Sequence, residues 1–146
     1  MTRISMWALC MLMPAMAIAS TCSPKSPEMF VEFLPSFTSS KAFALKRTVL
    51  PLPLLRDVDG VDVDGRTLHG TQRSYLSAAE YWRWPSLDQY MRDNDLLSQI
   101  RTQTKSAAVV ELYKDGLDGQ VLFHFKTQGG CWFLWQYEVK QGAESS

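Results

Sequence analysis

Phe30, Phe33, Leu34 and Phe37 recur at the i, i+3, i+4, i+7 spacing of a helix that faces a core. Ser26 stands before them as an N-cap, with Pro27 at the first helical position and Glu28 in the first turn. Pro35 falls inside the stripe and removes a backbone donor, which predicts a kink or an early end. Ser39 and Ser40 punctuate, and a second short helix is expected through Phe43 and Leu45. Arg47 then leads into residues 48–55 (TVLPLPLL), where two prolines alternate with leucines. That pattern suits an edge strand or extended segment and argues against a central strand. Residues 66–75 (RTLHGTQRSY) read as a second extended segment, interrupted by Gly70.

Ser77 and Glu80 have the S-x-x-E form of a capping box and predict a short helix carrying Tyr81, Trp82 and Trp84. Pro85 ends it, and Ser86 caps the next helix, which runs through Tyr90 and Met91 to residues 93–95. Residues 96–103 fit helix and strand alike. Residues 107–114 (AAVVELYK), 120–126 (QVLFHFK) and 131–140 (CWFLWQYEVK) read as strands, joined by Asp-Gly and Gly-Gly turns into an antiparallel meander. Helices before a meander predict an α+β fold, with N-terminal helices packed on one face of a curved antiparallel sheet.

The N-terminus has a different pattern. After Arg3, residues 4–19 contain no charge and end in Ala17-Ile18-Ala19. The run is short for a bilayer span and closes on a small-x-small cleavage site, so residues 1–21 are expected to be an export signal. Cleavage after Ala19 would release a soluble periplasmic or secreted protein. Cleavage before Cys22 would leave a lipidated cysteine and a membrane anchor without a spanning helix, the favoured alternative. The domain reading is a signal at 1–21, a tether at 22–26, one domain at 27–142 and a tail at 143–146. Cys10 leaves with the signal. An unlipidated Cys22 makes a disulfide with Cys131 possible in an oxidising compartment, although spacing alone does not decide it.

Loss of residues 1–21 removes only Arg3 among the charged residues. The remaining 14 basic and 15 acidic residues give a net charge of −1. No basic patch interleaves with aromatics, which argues against a nucleic-acid partner. The stretch DVDGVDVDG at residues 57–65 resembles a calcium loop only superficially. An EF-hand frame from Asp57 puts Val61 at the fifth place and Asp62 where glycine belongs. A hairpin tip fits better, with Asp57, Asp59, Asp62 and Asp64 as an exposed anionic feature.

Several motifs together resemble a family of uncharacterised bacterial envelope proteins, some of them lipoproteins. The residues are Phe30-x-x-Phe33-Leu34-x-x-Phe37, Phe43-x-Leu45-x-Arg47, Leu50-Pro51-Leu52 and Gly130-x-Trp132-x-Leu134. The resemblance implies the cone-shaped fold of nuclear transport factor two and an envelope location. It implies no activity, because that fold hosts enzymes, binders and assembly modules.

No nucleophile elbow, HExxH or phosphate-cradling loop is present, and neither cofactor nor metal is expected. The leading expectation is a non-catalytic binding module for a periplasmic protein, in its most concrete form an immunity protein against an envelope-acting toxin. Asp57, Asp59, Asp62, Asp64, Trp82 and Trp84 are its candidate contacts, since tryptophan dominates interface hot spots. The alternative is a small-ligand or enzymatic pocket inside the cone, using His124 with Glu111 on the neighbouring strand.

Overall fold

The computed structural model describes residues 22–117 and 120–140. The expectations for the signal at 1–21, the turn at 118–119 and the tail at 143–146 lie outside the described residues. Among the described residues, no helix is long and apolar enough to cross a membrane.

Six strands form one sheet: β1 (Leu52–Val61), β2 (Thr67–Leu76), β3 (Leu97–Gln103), β4 (Ala107–Tyr113), β5 (Gln120–Gln128) and β6 (Cys131–Lys140). Their order is β2-β1-β6-β5-β4-β3. All neighbours are antiparallel except β1 and β6, which run parallel through Leu54–Tyr137, Leu55–Glu138 and Arg56–Val139. The sheet is therefore mixed, and the C-terminal meander forms as expected. Residues 96–103, ambiguous in sequence, supply the edge strand β3.

The segment with two prolines is not an edge. β1 lies between β2 and β6. Pro53 is tolerated because it precedes the three residues that pair with β6, so its missing N–H breaks no parallel rung.

Helices α1 (Phe30–Ser39) and α2 (Lys41–Lys46) precede the sheet, and α3 (Ala78–Arg83) and α4 (Leu87–Asp93) fill the connection from β2 to β3. Ser77 and Glu80 make the expected capping box, and Ser40 and Ser86 cap α2 and α4. The Ser77 hydroxyl and N–H hold the Glu80 carboxyl below its ordinary pKa.

α1 starts three residues later than the Ser26 cap predicts, because Met29 is extended and takes the N-cap position. Glu28 is engaged elsewhere. Its N–H donates to the Gly130 carbonyl, and its carboxylate accepts from Arg47 and from the Trp132 N–H. Pro35 sits inside α1, and the Ser39 hydroxyl donates to its carbonyl one turn before the helix ends.

The core lies between the helices and one face of the sheet. Phe30, Phe33 and Phe37 from α1 meet the ring of Phe125 at 5.3, 5.7 and 5.1 Å, all edge-on. Each such ring, taken out of water, contributes about 2–3 kcal/mol. Ala108, Val110 and Leu112 of β4 extend this apolar face.

Two register shifts bend the sheet, one in β3 between Ile100 and Thr102 and one at His124/Phe125 in the β5–β6 pair. In the second, Phe125 pairs with Leu134 and Phe123 with Tyr137. Two residues on β5 thus span three on β6. The shift lets Trp132, Leu134 and Tyr137 all join the core, although strict alternation would turn Gln136 inward.

Residues 22–26, expected as a tether, are docked. Ser23 and Ser26 exchange backbone hydrogen bonds, and Cys22 forms a disulfide with Cys131 at a Cα–Cα distance of 5.2 Å. Gly130 has a positive φ of 84°, and a Cβ there would collide with the Ser23 carbonyl. A sulfur in this bond is not free to carry a lipid thioether, so the disulfide and the lipidated form of Cys22 exclude each other.

Candidate functional site

A cavity of about 280 Å³ lies between the helices and the inner face of the sheet. Phe37 and Ala44 bound it from α1 and α2, and Phe123 and Tyr137 form its floor on β5 and β6. Tyr81, Trp84, Leu87 and Tyr90 close it from α3, α4 and the turn between them. The turn exists because Pro85 stops one helix and Ser86 caps the next, and it brings Trp84 over the sheet. The Trp84 ring meets Tyr137 edge-on at 5.4 Å, and Phe123 meets Tyr137 at 5.0 Å.

Lys41 is the only formally charged side chain of the lining. It sits at the start of α2, with Nζ 4.8 Å from the centre of the Trp82 ring outside the cavity. Two buried phenols add polarity. Burial pushes the Tyr137 hydroxyl up to about 12, reinforced by Tyr90 and opposed by Arg56. Burial also raises Tyr81, opposed by its side-chain hydrogen bond with Thr48. Both phenols are neutral at physiological pH.

His124 and Glu111 do not belong to this cavity, contrary to the pocket expected for them. Phe123 and Phe125 face inward, so alternation turns His124 to the opposite face of the sheet. There its Nε2 lies 2.9 Å from Glu138 Oε2. Glu111 is on the same outer face, buried, and held by the Arg101 guanidinium at 2.9 and 3.0 Å and by the Gln99 amide. The two are not paired with each other.

The partner candidates also separate. Trp82 is half exposed, whereas Trp84 is turned into the cavity. Asp57 and Asp59 lie in β1, two residues apart on one face, and the Asp59 Oδ1 is 2.6 Å from His69 Nδ1. Asp62 accepts the N–H groups of Asp64 and Arg66 through Oδ1 and so forms the hairpin tip. Asp64 sits at that tip. The hairpin expectation holds, but the strands run further into the aspartate stretch than expected, leaving only residues 62–66 as the turn.

The cavity residues that sequence reasoning missed are Lys41, Phe37, Leu87, Tyr90, Phe123 and Tyr137 in a binding role. Phe37 belongs to the core-facing stripe of the sequence, and no signal there separates a cavity wall from a packed core. Tyr137 was hidden by the register shift.

No family model and no curated protein matches the sequence. Solved structures do. An NTF2-like (nuclear-transport-factor-two-like) protein from Bacteroides fragilis aligns with a TM-score of 0.51 at 20% identity, over 77% of this chain and 47% of that one. The fold is NTF2-like. The chain spans about half the length of the Bacteroides fragilis protein. A cystatin-like protein from Bacteroides caccae aligns at 22% identity over 81% of this chain and 79% of that one, with a TM-score of 0.49. An NTF2-like protein of unknown function from Shewanella baltica aligns at 12% identity over 75% of this chain and 87% of that one, with a TM-score of 0.35. At these identities the likeness is one of NTF2-like architecture alone.

Proposed function

We propose that this protein is an exported, non-catalytic binder of small molecules, with the interior of the NTF2-like cone as its site. The observation that carries this reading is the cavity walled by Trp84, Tyr137, Phe123 and Tyr81. A concave, mostly aromatic pocket with few polar groups is the usual form of a small-ligand site. Its lining holds no histidine, cysteine or carboxylate, and His124 and Glu111 lie on the other side of the sheet.

The export part of the reading rests on the apolar run after Arg3 and on the disulfide, which suits an oxidising compartment. We infer the branch in which Cys22 is bonded to Cys131, released by cleavage after Ala19. A lipid anchor on Cys22 would require the other branch.

Thermal denaturation in the presence of small aromatic and aliphatic compounds tests the cavity. Binding raises Tm by mass action. Leu87→Trp, which fills the cavity, should abolish the rise while the variant still melts cooperatively. No compound raising Tm, or rises that survive in the filled variant, would overturn the reading.

A second reading keeps a protein partner, including the immunity role. It is favoured by the exposed Val61, Val63 and Leu68 beside Asp62 and Asp64 at the end of the β1–β2 hairpin. Pull-down from envelope extract with the wild type and a Val61→Ser/Val63→Ser/Leu68→Ser variant tests it. A partner retained equally by both would place the contact elsewhere.

A further inference from the structure

The geometry points to an organic monoanion as the ligand of the cavity: an apolar or aromatic body carrying one carboxylate-type group that meets Lys41. This inference rests on the small-ligand reading above and deepens it.

The first argument is charge. Among the lining residues Lys41 alone carries a formal charge, and no lining residue is acidic. Among the described residues no carboxylate lies within salt-bridge distance of its ammonium. Trp82 holds it by the face of the ring. A cation–π contact satisfies an ammonium only in part and leaves donors for an anion. Lys41 lines the apolar cavity and is half-buried, so its charge acts on an opposite charge more strongly than it would in bulk water, because the local dielectric is lower.

The second argument is polarity of the walls. Tyr81 and Tyr137 remain protonated there, so neither wall phenol adds a negative charge that would oppose an anion. A cationic ligand would meet Lys41 as a like charge. A neutral apolar ligand would leave the ammonium without a counter-charge while excluding water from around it. An anion answers both requirements. The edges and faces of Trp84, Phe123 and Tyr137 receive its body, since aromatic rings pair best offset or edge-on.

The test is isothermal calorimetry on the oxidised protein with three probes of equal shape: 2-naphthoate, 2-naphthalenemethanol and 2-naphthylmethylamine. The anion should bind about ten- to a hundredfold tighter than the alcohol, the range expected of one hydrogen bond to a charged group. The amine should bind weakest. Lys41→Met keeps the apolar stem and should bring acid and alcohol together, and Lys41→Arg should restore the preference. Circular dichroism checks folding, and Lys41→Gln replaces the methionine variant should that not fold.

Equal binding of acid and alcohol to the wild type would overturn the anion and leave the cavity reading standing. An acid preference that persists in the folded Lys41 variants would also overturn it. Failure of all three probes to bind would overturn this inference together with the cavity reading.

Discussion

Arg47 holds both carboxylate oxygens of Glu28, at 3.0 and 3.3 Å, across 19 residues of sequence. Both side chains are largely buried, at 13% and 9% exposure. The guanidinium also donates to the Trp132 carbonyl and stands 5.1 and 5.5 Å from the rings of Phe43 and Phe133. Removing one partner of such a pair strands the other charge. Glu28→Ala and Arg47→Met should each cost about 3–5 kcal/mol in urea unfolding. The double variant should cost less than the sum, and strict additivity would argue that the two do not act as a unit.

The disulfide should add stability mainly by shortening the unfolded chain. Its partners are 109 residues apart, and a loop of that size corresponds to about 4–5 kcal/mol in the chain-entropy model. Reduction, or a Cys22→Ser/Cys131→Ser variant, should lower the urea midpoint accordingly. Mass spectrometry of protein isolated from its native cell would read the pairing directly. A lipidated N-terminal Cys22 would be incompatible with it.

Phe125 is the ring on which the three phenylalanines of α1 converge, and it is 1% exposed. Phe125→Ala should cost about 3–5 kcal/mol, with Phe125→Leu losing clearly less. A loss below about 1 kcal/mol would mean that the helix does not rest on this residue.

Tyr137 gives the protein an alkaline limit. Its hydroxyl rises from the ordinary 10.0 to about 12 because burial disfavours phenolate. A group whose pKa is raised on folding stabilises fully below its unfolded value and loses that contribution as pH climbs through the folded one. Stability should therefore fall from about pH 10 to 12, in proportion to this shift. Tyr137→Phe should flatten that part of the curve. Absorbance titration at alkaline pH should show one late-ionising tyrosine missing in the variant.

Much of this architecture was legible from side-chain periodicity. The Phe30–Phe37 stripe, the Ser77–Glu80 box and the three closing strands appear where local rules put them, because each rests on contacts only a few residues apart. What escaped was set by distant partners. α1 is shorter than its caps suggest because Glu28 is taken by Arg47 and Trp132. The proline-bearing segment is interior because β6 pairs beside it at Thr48 and again from Leu54, with both prolines falling between those contacts. Tyr137 reaches the cavity through a one-residue register shift that no alternation rule anticipates. His124 was assigned to the pocket because the identity of the pocket-facing side depends on where the helices pack. Trp82 and Trp84, two residues apart, were indistinguishable until the turn at Pro85 had a direction.

The docking of residues 22–28 on the start of β6 also orders events in time. The first described residues of the domain have their binding surface in a hairpin made more than a hundred residues later. A chain emerging from a ribosome must hold that leading segment unattached until Gly130 and Trp132 have appeared. Completion of this fold is therefore withheld until the β5–β6 hairpin has been made, so the segment that comes first in the chain is among the last to find its place.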